Sequence, residues 1–388
     1  MEKVRLGDIA TVITKGTTPT LLGYDFVDKG INFIKIESIT EEGNFIKEKF
    51  AYITSKCNEK LSRSQLQEND ILFSIAGAIG RVAIVDKNLL PANTNQALAI
   101  IRVPERIYEY SFLKHILKSP IISQQFEKQK QGVAQINLSL KNISDFELPV
   151  LTLEQQRKIS YELDKVTDLI NKRKEQLEKL DELVKARFVE LFGDVANSPK
   201  YGGVPLGTIC STLSGGTPTT KVPEYYQGDI PWISTPYLGN NHINGSSAKA
   251  YITEDAIKNS ATHLIPENTI MFGIRVGVGK SSIIDEPMCA NQDIVALMGI
   301  DTNKYNLLFV KHTLDSYQSH FDSIKKGATI LGITTADLKK VLIPNVDIGL
   351  QNQFATFVEQ TDKSKVEIQK SLEKLELLKK ALMQKYFG

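Results

Sequence analysis

The sequence predicts an α+β fold built twice: two similar α+β heads separated by two long helices, which pack as an antiparallel coiled coil with pseudo-two-fold symmetry. Three observations predict it. One order of motifs recurs at a separation of about 195 to 200 residues. Both copies end alike, Lys179-Leu180-Asp181-Glu182-Leu183 running to Phe192-Gly193, and Lys374-Leu375-Glu376-Leu377-Leu378 running to Phe387-Gly388. Before each ending, apolar residues follow the 4-3 spacing of a helical seam over several heptads. The expected boundaries are 1–152 for the first head, 153–193 for the first spacer helix, 194–347 for the second head and 348–388 for the second spacer helix.

Each head opens on a short matched segment, Val4, Leu6, Gly7 and Ile9 against Val204, Leu206, Gly207 and Ile209. A small-residue loop comes next, Lys15-Gly16-Thr17-Thr18-Pro19-Thr20 against Ser214-Gly215-Gly216-Thr217-Pro218-Thr219. Ile31–Ile34 and Ile230–Ile233 have strand composition, and Ala51-Tyr52-Ile53-Thr54 recurs intact as Ala250-Tyr251-Ile252-Thr253. Asn69-Asp70-Ile71-Leu72-Phe73 pairs with Asn268-Thr269-Ile270-Met271-Phe272, and Asn95-Gln96 with Asn291-Gln292. Helical stretches follow near 107–129 and 304–325, and a proline-marked turn at Pro149 or Pro344 precedes each spacer. Short β-branched strands set between Gly, Asn and Pro turns, with helices gathered late, make an α+β head. Similarity is weak at 19–30 against 218–229 and at 37–50 against 236–249. These are loops, and one scaffold with two loop sets is the pattern expected of two specificities.

The spacer seams are Ile159, Leu163, Val166, Ile170, Leu177, Leu180 and Val184 in the first helix, and Phe354, Val358, Ile368, Leu372 and Leu375 in the second. Polar Arg173 and Lys365 fall on the same seams, costing stability but fixing register. A run of about 38 residues without internal Pro or Gly makes a helix roughly 55 Å long, longer than a small domain. The second helix can bury its seam by returning along the first, which brings the two chain ends together.

Bulk properties bound the function. Apolar residues are 41% and charged residues 24% of the 388, with a formal net charge of +2. That charge neither demands nor excludes nucleic acid, because 47 Lys and Arg can gather on one face. Cys57, Cys210 and Cys289 show no metal or disulfide spacing, which fits a reduced cytoplasm. The opening residues lack an apolar signal core, and no run reaches transmembrane length. The five histidines show no zinc spacing. No Gly-x-Ser-x-Gly elbow and no Asn-Pro-Pro-aromatic run of an amino-methyltransferase occurs. Gly273–Ser281 resembles a phosphate loop, but the required glycine would fall at Ile274, so a Gly-rich turn between strands is the plainer reading.

Two variable heads, two repeated spacers, a Gly-Thr-Pro loop opening each head and a Phe-Gly closing each spacer together resemble the specificity subunit of type I restriction–modification systems, over the whole chain. The resemblance implies a non-catalytic subunit that reads a bipartite site on double-stranded DNA, one head to each half-site. It also implies that two methyltransferase subunits dock on the helices and that restriction subunits join for cleavage. S-adenosylmethionine and ATP would belong to those partners, with no cofactor on this chain. Base reading needs Arg, Asn and Gln, and backbone anchoring needs Lys, Arg, Ser and Thr. The loop-borne candidates are Lys15, Thr17, Thr18, Lys35, Arg81, Asn93 and Asn95 in the first head. In the second they are Thr217, Thr219, Lys221, Tyr225, Tyr226, Ser234, Arg275 and Lys280. The competing readings are a coiled-coil scaffold that bridges two proteins and a nucleotide-binding enzyme that uses Gly273–Ser281.

Overall fold

A computed structural model describes residues 2–127, 137–327 and 331–388. It divides the chain into two compact units, Met1–Lys174 with Lys370–Gly388, and Glu175–Gln369. The division cuts both long helices, Leu153–Phe192 and Ile348–Phe387, each of 40 residues. Each unit therefore holds one head, the beginning of the helix that follows it and the end of the other helix. That pairing is antiparallel.

Among the described residues the first head has nine short strands: β1 (Lys3–Arg5), β2 (Val12–Lys15), β3 (Ile31–Ile34), β4 (Ala51–Ile53), β5 (Ile71–Ser74), β6 (Val82–Ile84), β7 (Ala92–Thr94), β8 (Leu98–Arg102) and β9 (Glu147–Pro149). They form a four-stranded sheet of order β2-β8-β5-β6, a three-stranded sheet β4-β3-β7, and the pair β1-β9. Alternation explains why β5 and β8 are apolar except at their last residues, Ser74 and Arg102. Ile71, Phe73, Ala99 and Ile101 face a core shared with the helices, while Leu72, Leu98 and Ile100 face a second core that also contains Ile34 and Ala92. A strand covered on both faces loses the polar half of its pattern. Pro149 does not mark a turn but ends β9, opposite Lys3, and Pro344 likewise ends Leu342–Pro344, opposite Gly203. Proline is tolerated there because a short edge strand does not need its missing N–H.

The second head repeats this plan. Ser211–Ser214, Ile294–Met298, Thr269–Gly273, Ser281–Ile284 and His242–Ile243 make a five-stranded sheet, and Ala250–Ile252, Ile230–Ile233 and Cys289–Ala290 a three-stranded one. The recurring sequences have local causes. In Ala-Tyr-Ile-Thr the first three residues are strand and the threonine caps the next helix, Thr54 accepting from the Cys57 amide and Thr253 from the Ala256 amide, both at 3.2 Å. Asn69 and Asn268 recur because both turn left-handed, at φ 69° and 56°, a conformation asparagine tolerates better than most residues. Helices Tyr110–Leu117 and Pro120–Glu127 occupy the expected helical stretch as far as residue 127; residues 128 and 129 lie outside the described residues.

Two phenylalanines complete the cores. Phe387 belongs to the first unit's core with Leu6 and packs on Phe112 at 5.6 Å between ring centroids. Phe192 packs on Phe309 at 4.8 Å and on Phe354 at 5.6 Å. Phe387 is thus part of the first head's interior, while Gly388 beside it is exposed. Of the expected seam, Ile159, Leu163, Val166, Ile170, Val184, Phe354, Val358 and Leu372 are buried. Leu177, Leu180, Ile368 and Leu375 are only half-buried. Lys365 spans the helix pair in the second unit, its Nζ 2.5 Å from Asp181 Oδ1.

Candidate nucleic-acid interface

Each head holds its Gly-Thr-Pro loop against the strand end that carries the Asn-Gln pair. Thr18 Oγ1 donates to Gln96 Oε1 at 2.5 Å, and Thr217 Oγ1 makes the same bond to Gln292 Oε1. The approach is so close that only glycine fits. A Cβ on Gly16 would sit 1.8 Å from the Thr94 carbonyl oxygen, and one on Gly215 would sit 2.2 Å from that of Asn291. In the second head Tyr226 donates its hydroxyl to the Pro218 carbonyl at 2.7 Å, and Trp232 Nε1 donates to Gly216 at 3.0 Å. Burial raises the Tyr226 phenol above its ordinary pKa. The arrangement is a rigid polar ledge: hydroxyl and amide groups held in place, with the glutamine side exposed.

The candidates divide by where the fold puts them. In the first head Lys15 ends β2, and Thr17 and Thr18 lie on the loop, all half-buried. Asn95 is also half-buried and accepts from the Ala97 amide at 3.2 Å. In the second, Thr217, Thr219, Lys221, Arg275 and Lys280 are exposed. Arg275 Nη1 lies 3.9 Å from Asp293, a carboxylate that can hold the guanidinium without covering it. Tyr225 is half-buried beside Trp232.

Other candidates serve the interior. Asn93 has no exposed surface; its amide bonds Asn58 Oδ1 and the Leu61 carbonyl, and its Oδ1 accepts from Ser64. It cross-links the head and has nothing left for a base. Ser234, which precedes the three-residue 3-10 turn Thr235–Tyr237, is buried at 6% exposure. Arg81 donates through Nη1 to the carbonyls of Ile36 and Ile39, at 3.3 and 2.7 Å, and so braces the variable loop 37–50 from behind. Lys35 lies over the Phe26 ring at 4.7 Å and 3.7 Å from Glu37. Sequence reasoning weighed Asn95 but passed over Gln96 beside it and Gln292 beside Asn291, although their recurrence next to the matched asparagines was a usable signal.

Gly273–Ser281 is a hairpin turn between the antiparallel strands Thr269–Gly273 and Ser281–Ile284, with Gly277 and Gly279 at φ 94° and 95°. The strand returns as a strand, whereas a phosphate loop feeds a helix whose N-terminal amides hold the phosphate. Among the described residues no group of three His, Cys, Asp or Glu side chains is arranged to hold a metal, and no helix is long and apolar enough to cross a membrane. The three cysteines are free and buried, and burial pushes the thiols of Cys210 and Cys289 up to about 11.

A duplicated head with a rigid polar ledge, each joined to a 40-residue helix, defines a two-domain recognition protein built by internal repetition. The chain belongs to the type I restriction modification DNA specificity domain family, whose model matches twice, over residues 1–179 and 200–379. It is 31% identical over 174 residues to the type I restriction enzyme MjaIX specificity subunit of Methanocaldococcus jannaschii, a match covering 44% of this chain and 40% of that one. It is 30% identical over 164 residues to the EcoR124I/EcoR124II specificity subunit of Escherichia coli, again covering 40% of each. The chain thus aligns with about two fifths of the length of these relatives. With the MjaVIII specificity subunit of M. jannaschii the match is 22% over 410 residues and covers 98% of this chain and 91% of that one. Among solved structures, the type I restriction–modification S subunit from M. genitalium has the same fold at TM-score 0.56 and 16% identity, covering all of this chain and 96% of that one. A chain from a type I R-M system studied for complex assembly and conformational transition matches at TM-score 0.59 and 18% identity, covering 99% and 96%.

Proposed function

We propose that this chain is the sequence-reading subunit of a type I restriction–modification complex, with each head contacting one half of a split site on double-stranded DNA. The observation that carries this reading is the same Thr–Gln ledge in both heads, bordered by loops that differ between them. A shared ledge suits a common approach to the duplex, and unlike loops suit unlike bases. Lys15, Thr17, Thr18, Asn95, Thr217, Thr219, Lys221, Tyr225, Arg275 and Lys280 are the residues proposed to touch DNA. Arg81, Tyr226, Lys35 and Ser234 shape the loops that do so. Two methyltransferase subunits dock on the long helices and restriction subunits join for cleavage. Methyl transfer and cleavage, with S-adenosylmethionine and ATP, belong to those partners in the cytoplasm, and this chain is non-catalytic.

The test is loop exchange. Residues 19–50 are replaced by the corresponding loops of another family member, and methylated sites are mapped by sequencing the genome of cells that carry the complete complex. One half-site is expected to change while the other stays. Change in both halves, or in neither, would refute the assignment of one head to each half-site.

A further inference from the structure

Within the first unit, helix Tyr110–Leu117, the first long helix and the last turns of the second surround a half-enclosed cavity of about 390 Å³. Lys114, Lys118, Lys174, Lys379 and Lys380 line it, against the carboxylates of Glu42, Asp164 and Glu376. Two of these carboxylates are already engaged. Asp164 accepts from Ser111 Oγ at 2.5 Å and lies 2.7 Å from His115 Nε2, while Glu42 pairs with Lys174 at 3.3 Å. Lys118 donates to the Glu41 carbonyl at 2.6 Å, which satisfies a donor but supplies no countercharge. Lys114, Lys379 and Lys380 make no ion pair among the described residues. Burial, then repulsion from Lys379 and Lys114, brings the Lys118 ammonium down to about 8. Burial and Lys114 lower Lys379 in the same way. Burial lowers Lys114 as well, against the opposing pull of Asp164 and Asp168. A partly buried hole in which lysines crowd Lys118 and Lys379 favours added negative charge.

The internal repeat supplies a control. In the second unit, Lys311 and His312 take the places of Lys114 and His115, but Asp315 stands at the position of Lys118. Gln369 replaces Lys174 and Val184 replaces Lys379. There Lys311 is neutralised by Asp315 at 2.8 Å, and Val184 is buried in the core at 3% exposure. Lys380 keeps a counterpart in Lys185, as Lys114 does in Lys311, but the second unit folds without counterparts of Lys118, Lys174 and Lys379, so the full cluster is a property of the first unit and not a requirement of the architecture.

We propose that this cavity binds a small anion bearing a diphosphate or triphosphate group, carried by a nucleotide or as inorganic pyrophosphate, with Lys114, Lys118, Lys379 and Lys380 as its cationic partners. Four ammonium groups around one small space suit several negative charges held close together, and lysine serves phosphate as a point charge. The volume lies at the lower end of small-molecule sites, which run from about 300 to 1,000 Å³.

The test uses the full chain. Calorimetric titration with pyrophosphate, with ATP and with a short DNA duplex is run at constant ionic strength on the wild type and on Lys118→Met, Lys379→Met and, as an exposed control, Lys87→Met. Pyrophosphate or ATP is expected to bind one per chain, weakened tenfold or more by Lys118→Met and Lys379→Met and unchanged by Lys87→Met. In case a variant misfolds, lysine acetylation of the wild type is mapped by mass spectrometry. Pyrophosphate or ATP is expected to protect Lys114, Lys118 and Lys379 and to leave Lys87 reactive. No binding of either small anion, binding indifferent to these lysines, or protection by duplex DNA alone overturns the proposal. None of these outcomes depends on the half-site assignment, which loop exchange tests separately.

Discussion

Gln156 and Gln351 are buried amides at equivalent positions of the two long helices, and each ties its helix to its head through three backbone groups. Gln156 accepts from the Glu109 amide at 2.8 Å and donates to the carbonyls of Ile107 and Leu151 at 3.1 and 2.9 Å. Gln351 accepts from the Asn306 amide at 2.9 Å and donates to Lys304 and Val346, both at 3.0 Å. Truncating either leaves part-buried backbone donors and acceptors unmet, at a cost of about 1–3 kcal/mol for each group that water cannot reach. Gln156→Ala is therefore expected to destabilise the first unit by about 2–4 kcal/mol, read from urea unfolding of the full chain. A loss below about 0.5 kcal/mol would show that water replaces the latch. These glutamines were invisible as latches in the sequence. A Gln in a Lys/Glu-rich helix looks like solvated surface until the partner carbonyls, 47 and 49 residues away, are placed beside it.

The long helices are held most firmly at their ends. Phe387 and Phe192 are buried at 1% and 0% exposure in the cores of the heads they reach, whereas Leu177, Leu180, Ile368 and Leu375 are only half-buried. A seam residue in a two-helix coil has cover on one side only, while a terminal residue that enters a head is surrounded. Lys365 and Asp181 add register more than stability, since Asp181 is 61% exposed and such pairs contribute about 0–1 kcal/mol. Phe387→Ala removes a ring from a filled core and is expected to cost about 3–5 kcal/mol. Hydrogen exchange should locate the loss in helix Tyr110–Leu117, against which the ring packs, and leave helix Leu307–Ser316 protected. Uniform loss across both helices would mean that the two units do not open independently.

For the molecule acting on DNA, the proposed division of labour makes the helices a ruler. Removing one heptad within 160–185, with the matching heptad of the second helix, keeps the antiparallel seam in register and shortens each helix by about 10 Å. The methylated site is then expected to keep both half-sites and change the number of base pairs between them, as genome-wide methylation mapping would show. Altered half-sites with an unchanged spacer would remove the helices from the role of ruler.

The amino-acid sequence alone determined the duplication, the α+β heads, the heptad helices and the small-residue loops that open each head. Most of this rests on local chemistry: periodic burial, a threonine cap or a left-handed asparagine. Tertiary structure alone decided which polar side chains face outward. Asn93 and Arg81 have the composition of DNA contacts, yet partners from distant segments claim them. The lysine cavity likewise exists only because the end of the chain returns to the first head and places Lys379 near Lys114 and Lys118. Exposure and electrostatic crowding are set by contacts between remote segments, and spacing along the chain carries no record of them.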